Sequence, residues 1–314
     1  MPTITGNHVI YAFEPDMEAV LSVDDGSIVT FESNDCYFGQ IQTEEDDPVR
    51  VDRDFLNPAT GPVYIRGADP GDTLRVDILG IDIADRGIMV VLPGEGLLKK
   101  EAKNKTVRVI PIVDGAAEYL GLRIPVHPMI GVIGVAPALE DGPCPTHTPY
   151  RHGGNMDTRD IVRGTRLYLP VMQKGALFAL GDCHALMADG EVCQTGLEVS
   201  ARVTVRLSVI KGNSGPWPLL ETAEGTMIIA SAKTLEEAAC DSISTAVRAL
   251  AGIFGCLWEE ACMLASMAVD IKISQVVDPL MTVRAVIPKT IATTGQILKA
   301  LDAGSAGGDD NPAP

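Results

Sequence analysis

No CxxC pair occurs in this 314-residue chain, and its seven cysteines, at 36, 144, 183, 193, 240, 256 and 262, are odd in number and scattered. A disulfide framework and a paired-thiolate zinc site are both disfavoured, and a reducing, cytoplasmic compartment is the expectation. Basic residues are scarce: 25 Lys and Arg stand against 42 Asp and Glu, a formal charge of −17. Nucleic-acid binding needs a basic stripe that displaces counterions, so that class of partner is excluded. No apolar run reaches the roughly 18 residues of a membrane span, and Met1 to Tyr11 lacks the basic and apolar regions of a signal peptide. A partner membrane is therefore not expected. Neither a Gly-x-Ser-x-Gly elbow nor a phosphate-binding P-loop is found, which removes serine-hydrolase and nucleotide chemistry.

What is present is enough apolar residue, 46%, for a substantial core. Through about residue 210 short β-rich runs alternate with Gly, Pro, Asn and Asp. The clearest run is Leu197 to Ile210, where Leu197, Val199, Ala201, Val203, Val205, Leu207 and Val209 alternate with polar residues. This half-buried strand is long enough to bend or to serve two sheets, and it predicts a sandwich or barrel. Beyond residue 215 the character changes. Thr234 and Glu237 form a capping box ahead of a helical period that ends at Gly252 and Gly255, and a second helix is expected from about Trp258 to Asp270. The expected organisation is a mainly β region over 1–215, a smaller α+β unit over 216–301, and a disordered tail over 302–314.

Residues able to do chemistry concentrate between His127 and Glu198. In the segment 151–160, Gly153 and Gly154 would let the backbone approach a ligand, while His152, Asn155 and Asp157 supply a nitrogen, an amide and a carboxylate. A hydrated turn explains the same residues equally well. If 176–187 is a strand, Asp182 and His184 project from one face, roughly 6.6 Å apart at Cα. Together they suit a divalent cation or, alternatively, a simple Asp–His hydrogen bond. Cys183 leaves the opposite face, away from a base. Asp189 and Gly190 are the preferred pair for a two-residue hairpin, which would leave Glu191 about 13 Å from His184. Glu198 falls on the polar phase of the long strand and reads as solvated. Asp35, with Asn34, Tyr37 and Gln40, follows the strand Ile28 to Phe31, where it is either a site residue or a turn former.

His127-Pro-Met-Ile-Gly-Val-Ile-Gly-Val-Ala-Pro137, His152-Gly-Gly-Asn-Met-Asp157, Tyr168-Leu-Pro170 leading to Gly175-Ala-Leu-Phe178, and Gly181-Asp-Cys-His-Ala185 with Asp189-Gly-Glu191 together resemble the acetamidase/formamidase family. Gly61-Pro-Val-Tyr64, Pro70-Gly-Asp72, Gln275-Val-Val-Asp-Pro279 and Ile287-Pro-Lys289 extend the resemblance over most of the chain. Ala188 stands where the family commonly has a glycine. The resemblance implies a β-rich amidase that forms a homo-oligomer, a dimer or higher, and cleaves a short linear amide such as formamide or acetamide. It also implies a divalent metal near these segments, zinc first and calcium second. On that reading Asp182 and His184 are metal ligands, and Asp157 or Asp35 completes the set or activates water. Asn155, Gly153 and Gly154 would stabilise the oxyanion, and His152 is a candidate proton donor. The alternative is a non-catalytic β-protein that binds a metal or small molecule.

Overall fold

The computed structural model describes residues 1–305, and most of it is strand. The longer strands are, in chain order, β1 (Ile28–Ser33), β2 (Ala59–Ile65), β3 (Thr73–Ile83), β4 (Arg86–Val91), β5 (Thr106–Val113), β6 (Met129–Gly134), β7 (Gly153–Asn155) and β8 (Arg166–Pro170). They continue as β9 (Phe178–His184), β10 (Glu198–Val199), β11 (Ala201–Ile210), β12 (Leu219–Glu221), β13 (Gly225–Ala232), β14 (Asp270–Gln275) and β15 (Met281–Pro288). Three helices, α1 (Leu235–Phe254), α2 (Trp258–Ala268) and α3 (Thr294–Ser305), complete the outline.

Two sheets pack face to face. In the first, β1, β11, β3, β8, β12, β13, β15 and β14 run side by side, with Thr3–Ile4 added beyond β1. In the second, β5, β4, β10, β9, β6 and β7 are neighbours, and β2 also pairs with β9. Alternating side chains meet between them: Phe31, Val76, Val203 and Val205 from one sheet pack with Val63, Ile130, Ile133 and Leu180 from the other in a single buried cluster. Phe31 and Phe178 meet edge to face across the gap, 5.6 Å between centroids. Of the sandwich and the barrel that alternation allows, the sandwich is the architecture found.

The run 197–210 does serve both sheets. Glu198 and Val199 pair with β4 and β9 in the second sheet, whereas Ala201–Ile210 pairs with β1 and β3 in the first. The change of sheet at Ser200 re-aims the side chains before it, so the polar phase that holds outside along β11 does not extend back to Glu198.

The C-terminal strands continue the first sheet instead of forming one of their own. Helices α1 and α3 cover that end, where Ile228, Ala246, Leu250, Ile287 and Ile297 belong to a second buried cluster. The Thr234–Glu237 capping box starts α1, and Gly255, with φ 60°, ends it. Of the tail expected to be disordered from residue 302, residues 302–305 continue α3 and the remainder lies outside the described residues. No single helix among the described residues is long and apolar enough to cross a membrane.

Candidate active site

Strand β9 lies at the centre of the second sheet and changes neighbour along its length. Phe178 to Gly181 pair with β2, and Cys183 and His184 pair with β10. Asp182 stands at the changeover with φ 50°. Its other edge faces β6, where the pairing skips Gly131. A Cβ on Gly131 would lie 2.5 Å from Asp157 Oδ1 and 2.9 Å from Asp182 Oδ2, so the two carboxylates converge only because that position carries no side chain.

The structure brings Asp182 and His184 together: His184 Nε2 lies 3.7 Å from Asp182 Oδ1 and 3.8 Å from Asp157 Oδ1. It also brings in Glu191 and Glu198, against the expectation of a distant Glu191 and a solvated Glu198. Glu198 pairs with His184 across the ladder, is only 3% exposed, and places Oε2 3.3 Å from His184 Nε2. Glu191 lies with Asp157 and His184 in a group whose ligand atoms are all within 4.8 Å of one another. The expected two-residue hairpin is absent. The ladder runs on only to Ala185 and Leu186, both bonded to Leu197, and the intervening loop then folds back over the strand. Gly190 pins that loop to the C-terminal unit, donating to Ser274 O and accepting from Val276 N. Asp189 is held by Arg284, its two carboxylate oxygens each accepting at 2.8 Å.

Other predicted residues are placed differently. His152 is buried against Phe13, 5.1 Å between ring centroids, and burial pushes its pKa down to about 3 with no charged neighbour contributing. It sits apart from the carboxylates as a neutral core imidazole. Asp35 accepts from Tyr37 N and Gly39 N, the bonds of a turn former, and its successor Cys36 reaches the site instead. Gly153 N donates to Tyr150 O, and a Cβ on Gly153 or Gly154 would strike Ile133 O or Thr148 O at 2.2 or 2.3 Å. These glycines admit backbone packing. Asn155 donates to Asp278 Oδ2 at 2.9 Å, and Asn57 donates to Asp182 Oδ2 at 2.9 Å. Cys183 lies in the main core, where burial pushes its thiol up to about 12. The missed members are Cys36, Asn57, Glu191, Glu198 and Asp278. The motifs Asp189-Gly-Glu191 and Gln275-Val-Val-Asp-Pro279 already contained two of them.

The electrostatics follow from crowding. Burial, then the charge of Asp182, pushes Glu198 up to about 8 despite the opposing pull of His184. Burial raises Asp157 to about 6, against the pull of His184 and with a further push from Asp182. Glu191 and Asp278 are raised well above the carboxylate range by burial and by Asp157. Burial depresses His184, yet the facing Glu198 and Asp182 overcome it and hold the imidazole well above its ordinary value. Both oxygens of Asp157, both nitrogens of His184, Asp182 Oδ1, Glu198 Oε2 and Asn155 Oδ1 are buried without a hydrogen-bond partner. Orphaned donors of this kind, acidic and carrying one imidazole, are the chemistry of a divalent-cation site.

The acetamidase/formamidase family profile matches residues 5–142 and 140–294. The chain belongs to the acetamidase/formamidase family. It is 39% identical to the solved acetamidase of Bacillus halodurans, with a TM-score of 0.90 over 93% of this chain and 100% of that one. Against the predicted acetamidase/formamidase of Thermoanaerobacter tengcongensis it is 41% identical, with a TM-score of 0.86 over 92% of this chain and 96% of that one. The formamidase of Methylophilus methylotrophus is 26% identical over 266 residues, 63% of each chain. The chain thus spans about 63% of the length of the curated formamidases it matches. The two solved relatives share the fold, and in this chain the carboxylate cluster opens into a cavity of about 510 Å³ lined by Asn57, Asn155, Asp182, Glu191, Glu198 and Asp278 among others.

Proposed function

We propose that this family member hydrolyses the C–N bond of a small uncharged carboxamide, giving the carboxylate and ammonia. The observation that carries the reading is the set of unpartnered donors around His184 Nε2, of which Asp182, Glu198 and Asn155 line a cavity that admits a small molecule. Asp157, Asp182, His184 and Glu198 would hold a divalent ion of the zinc type, which His184 nitrogen and the nearby Cys36 sulfur favour over calcium. Such an ion supplies Lewis acidity toward a carbonyl oxygen and makes water acidic enough to attack near neutral pH.

The remaining steps belong to the chain. Asn155 Oδ1 is free to accept from the substrate NH2 and so orients the amide. Water adds to the carbonyl carbon and yields its proton to the carboxylate cluster, and the C–N bond then breaks. Glu191 faces the cavity, where burial and the charge of Asp157 hold its carboxyl well above the ordinary carboxylate range and favour the form that carries a proton. It delivers that proton to the departing nitrogen, as a general acid with a raised pKa does.

Two supporting observations concern partners. The acidic surface favours neutral substrates over anionic ones. A homo-oligomer fits the apolar patch formed where Met263 and Met267 of α2 and Ile271 and Ile273 of edge strand β14 are 39–77% exposed. The test of function is ammonia release from formamide, acetamide and propionamide by zinc-supplemented protein, with loss on chelation and recovery on readdition. Turnover that survives complete chelation ends the metal-dependent reading, and no release from any amide ends the amidase reading.

A further inference from the structure

Formamide and acetamide have three and four non-hydrogen atoms, and at about 30 Å³ per water-sized group they fill on the order of 100 Å³. The cavity holds about 510 Å³. One wall of the cavity has a distinct, apolar chemistry. Strand β4 separates two recesses: Val90 and, just beyond the strand, Leu92 line the catalytic cavity, whereas Met89 and Val91 line an apolar recess on the other side. The alternation follows from the strand period of two.

This wall begins at the catalytic cluster. Ile88 is the register partner of Glu198. At about 3.3 Å per residue, Val90 and Leu92 stand roughly 7 and 13 Å farther along the strand. Cys36, Val51 and Leu56 line the cavity from the loop between β1 and β2, and they belong with Val90 and Leu92 to one small apolar cluster. Val51, Leu56 and Leu92 are only partly buried, so the face they turn to the cavity is still wet. Arg53, the one Lys or Arg on the lining, is tied to Glu95. Among the described residues no unpaired Lys or Arg faces the wall, and an acyl group bearing a carboxylate would meet no cation there.

We propose that the cavity selects carboxamides with an uncharged, apolar acyl chain, laid along Val90 toward Leu92, over formamide and acetamide. An extended chain advances about 1.3 Å per carbon, so one of about six carbons reaches Val90 and one of about ten reaches Leu92. Val90 and Leu92 are the residues that set the preference. The proposal deepens the amidase reading and rests on it for turnover.

The experiment is kcat/KM for formamide, acetamide, butyramide, hexanamide and octanamide with the zinc-supplemented protein. The expected result is a rise of roughly fourfold per methylene, the transfer value of a CH2 group, continuing at least to hexanamide. A maximum at formamide or acetamide, with decline beyond, overturns it. Val90→Phe, at the depth a six-carbon chain reaches, is expected to lower the hexanamide-to-acetamide ratio at least tenfold, and an unchanged ratio also overturns it. Calorimetric binding of hexanamide and acetamide needs no turnover. If no amide is cleaved the amidase reading fails, while tighter hexanamide binding that Val90→Phe abolishes still supports the wall, and equal binding of the two sinks it.

Discussion

Three acidic side chains of the site, Asp157, Asp182 and Glu191, are carried on backbone with φ of 40°, 50° and 46°, and Asn57 with φ 49° donates to one of them. Left-handed backbone in a residue with a side chain costs of order 1–3 kcal/mol, and it persists only where the surroundings over-determine it. Here the gain is convergence of carboxylates that extended backbone would splay. The crowding makes the metal-free protein sensitive to pH. Glu198 and Asp157 are raised to about 8 and about 6, so each binds its proton more tightly folded than unfolded. Stabilisation of that sign is whole below the unfolded pKa and is lost as pH rises through the folded one. The metal-free Tm is expected to fall between about pH 5 and about pH 8. Zinc should raise Tm more at the upper pH than at the lower, as scanning calorimetry at both would show. His184→Ala is expected to abolish zinc binding and amide turnover with the far-UV circular dichroism intact. Retained stoichiometric zinc in that variant would remove His184 from the ligand set.

At the scale of elements, the site is assembled from five segments, and one guanidinium ties two of them to a third. Arg284 on β15 is 1% exposed, and it donates to Ile273 O, Ser274 Oγ and both oxygens of Asp189, with Asp160 at 3.0 Å from its Nε. Asp189 lies two residues before Glu191, and Asp160 lies three after Asp157. Ser274 Oγ in turn meets Thr158 Oγ1 at 2.9 Å. Removing one partner of a fully buried ion pair costs about 3–5 kcal/mol, and the cost here is smaller because the Asp160 and Asp189 carboxylates are 31% and 37% exposed. Arg284→Met is accordingly expected to lower Tm and, in the fraction still folded, to weaken zinc binding by loosening the Asp157 and Glu191 segments. Unaltered zinc affinity in the folded variant would make Arg284 purely structural. A milder case is Thr234→Ala, which removes the α1 cap far from the site; a loss of about 1 kcal/mol in urea unfolding with unchanged zinc affinity is expected.

For the whole molecule, the nine-stranded sheet ends in β14, an edge with Ile271 and Ile273 exposed beside α2. An apolar edge left in water is a pairing surface. Ile271→Lys with Met267→Glu is expected to shift the protein to a smaller sedimenting species with its zinc site intact, and an unchanged sedimentation coefficient would place the contact elsewhere. The sandwich was legible in the chain because alternation reports which face of a strand is buried, and 201–208 shows it at every position. The capping box was legible for the same local reason, since Thr234 and Glu237 satisfy each other within one turn.

Glu198 and Glu191 were not legible, and they show where local pattern stops. Alternation is a statement about one sheet, and Glu198 lies just before the chain changes sheets. A two-residue turn is the default for Asp-Gly, and here Asp189 is taken by an arginine 95 residues away. By itself the sequence determined the family, the capped helix α1 and the alternation along 201–208, and it set Asp182 and His184 two apart on one strand, while their convergence also takes the left-handed backbone at Asp182. Only the tertiary structure decided that Glu198, Glu191, Asp278 and Cys36 join them and that His152 and Asp35 do not. Those memberships depend on strand pairing and loop anchoring between distant segments, which no short-range period encodes.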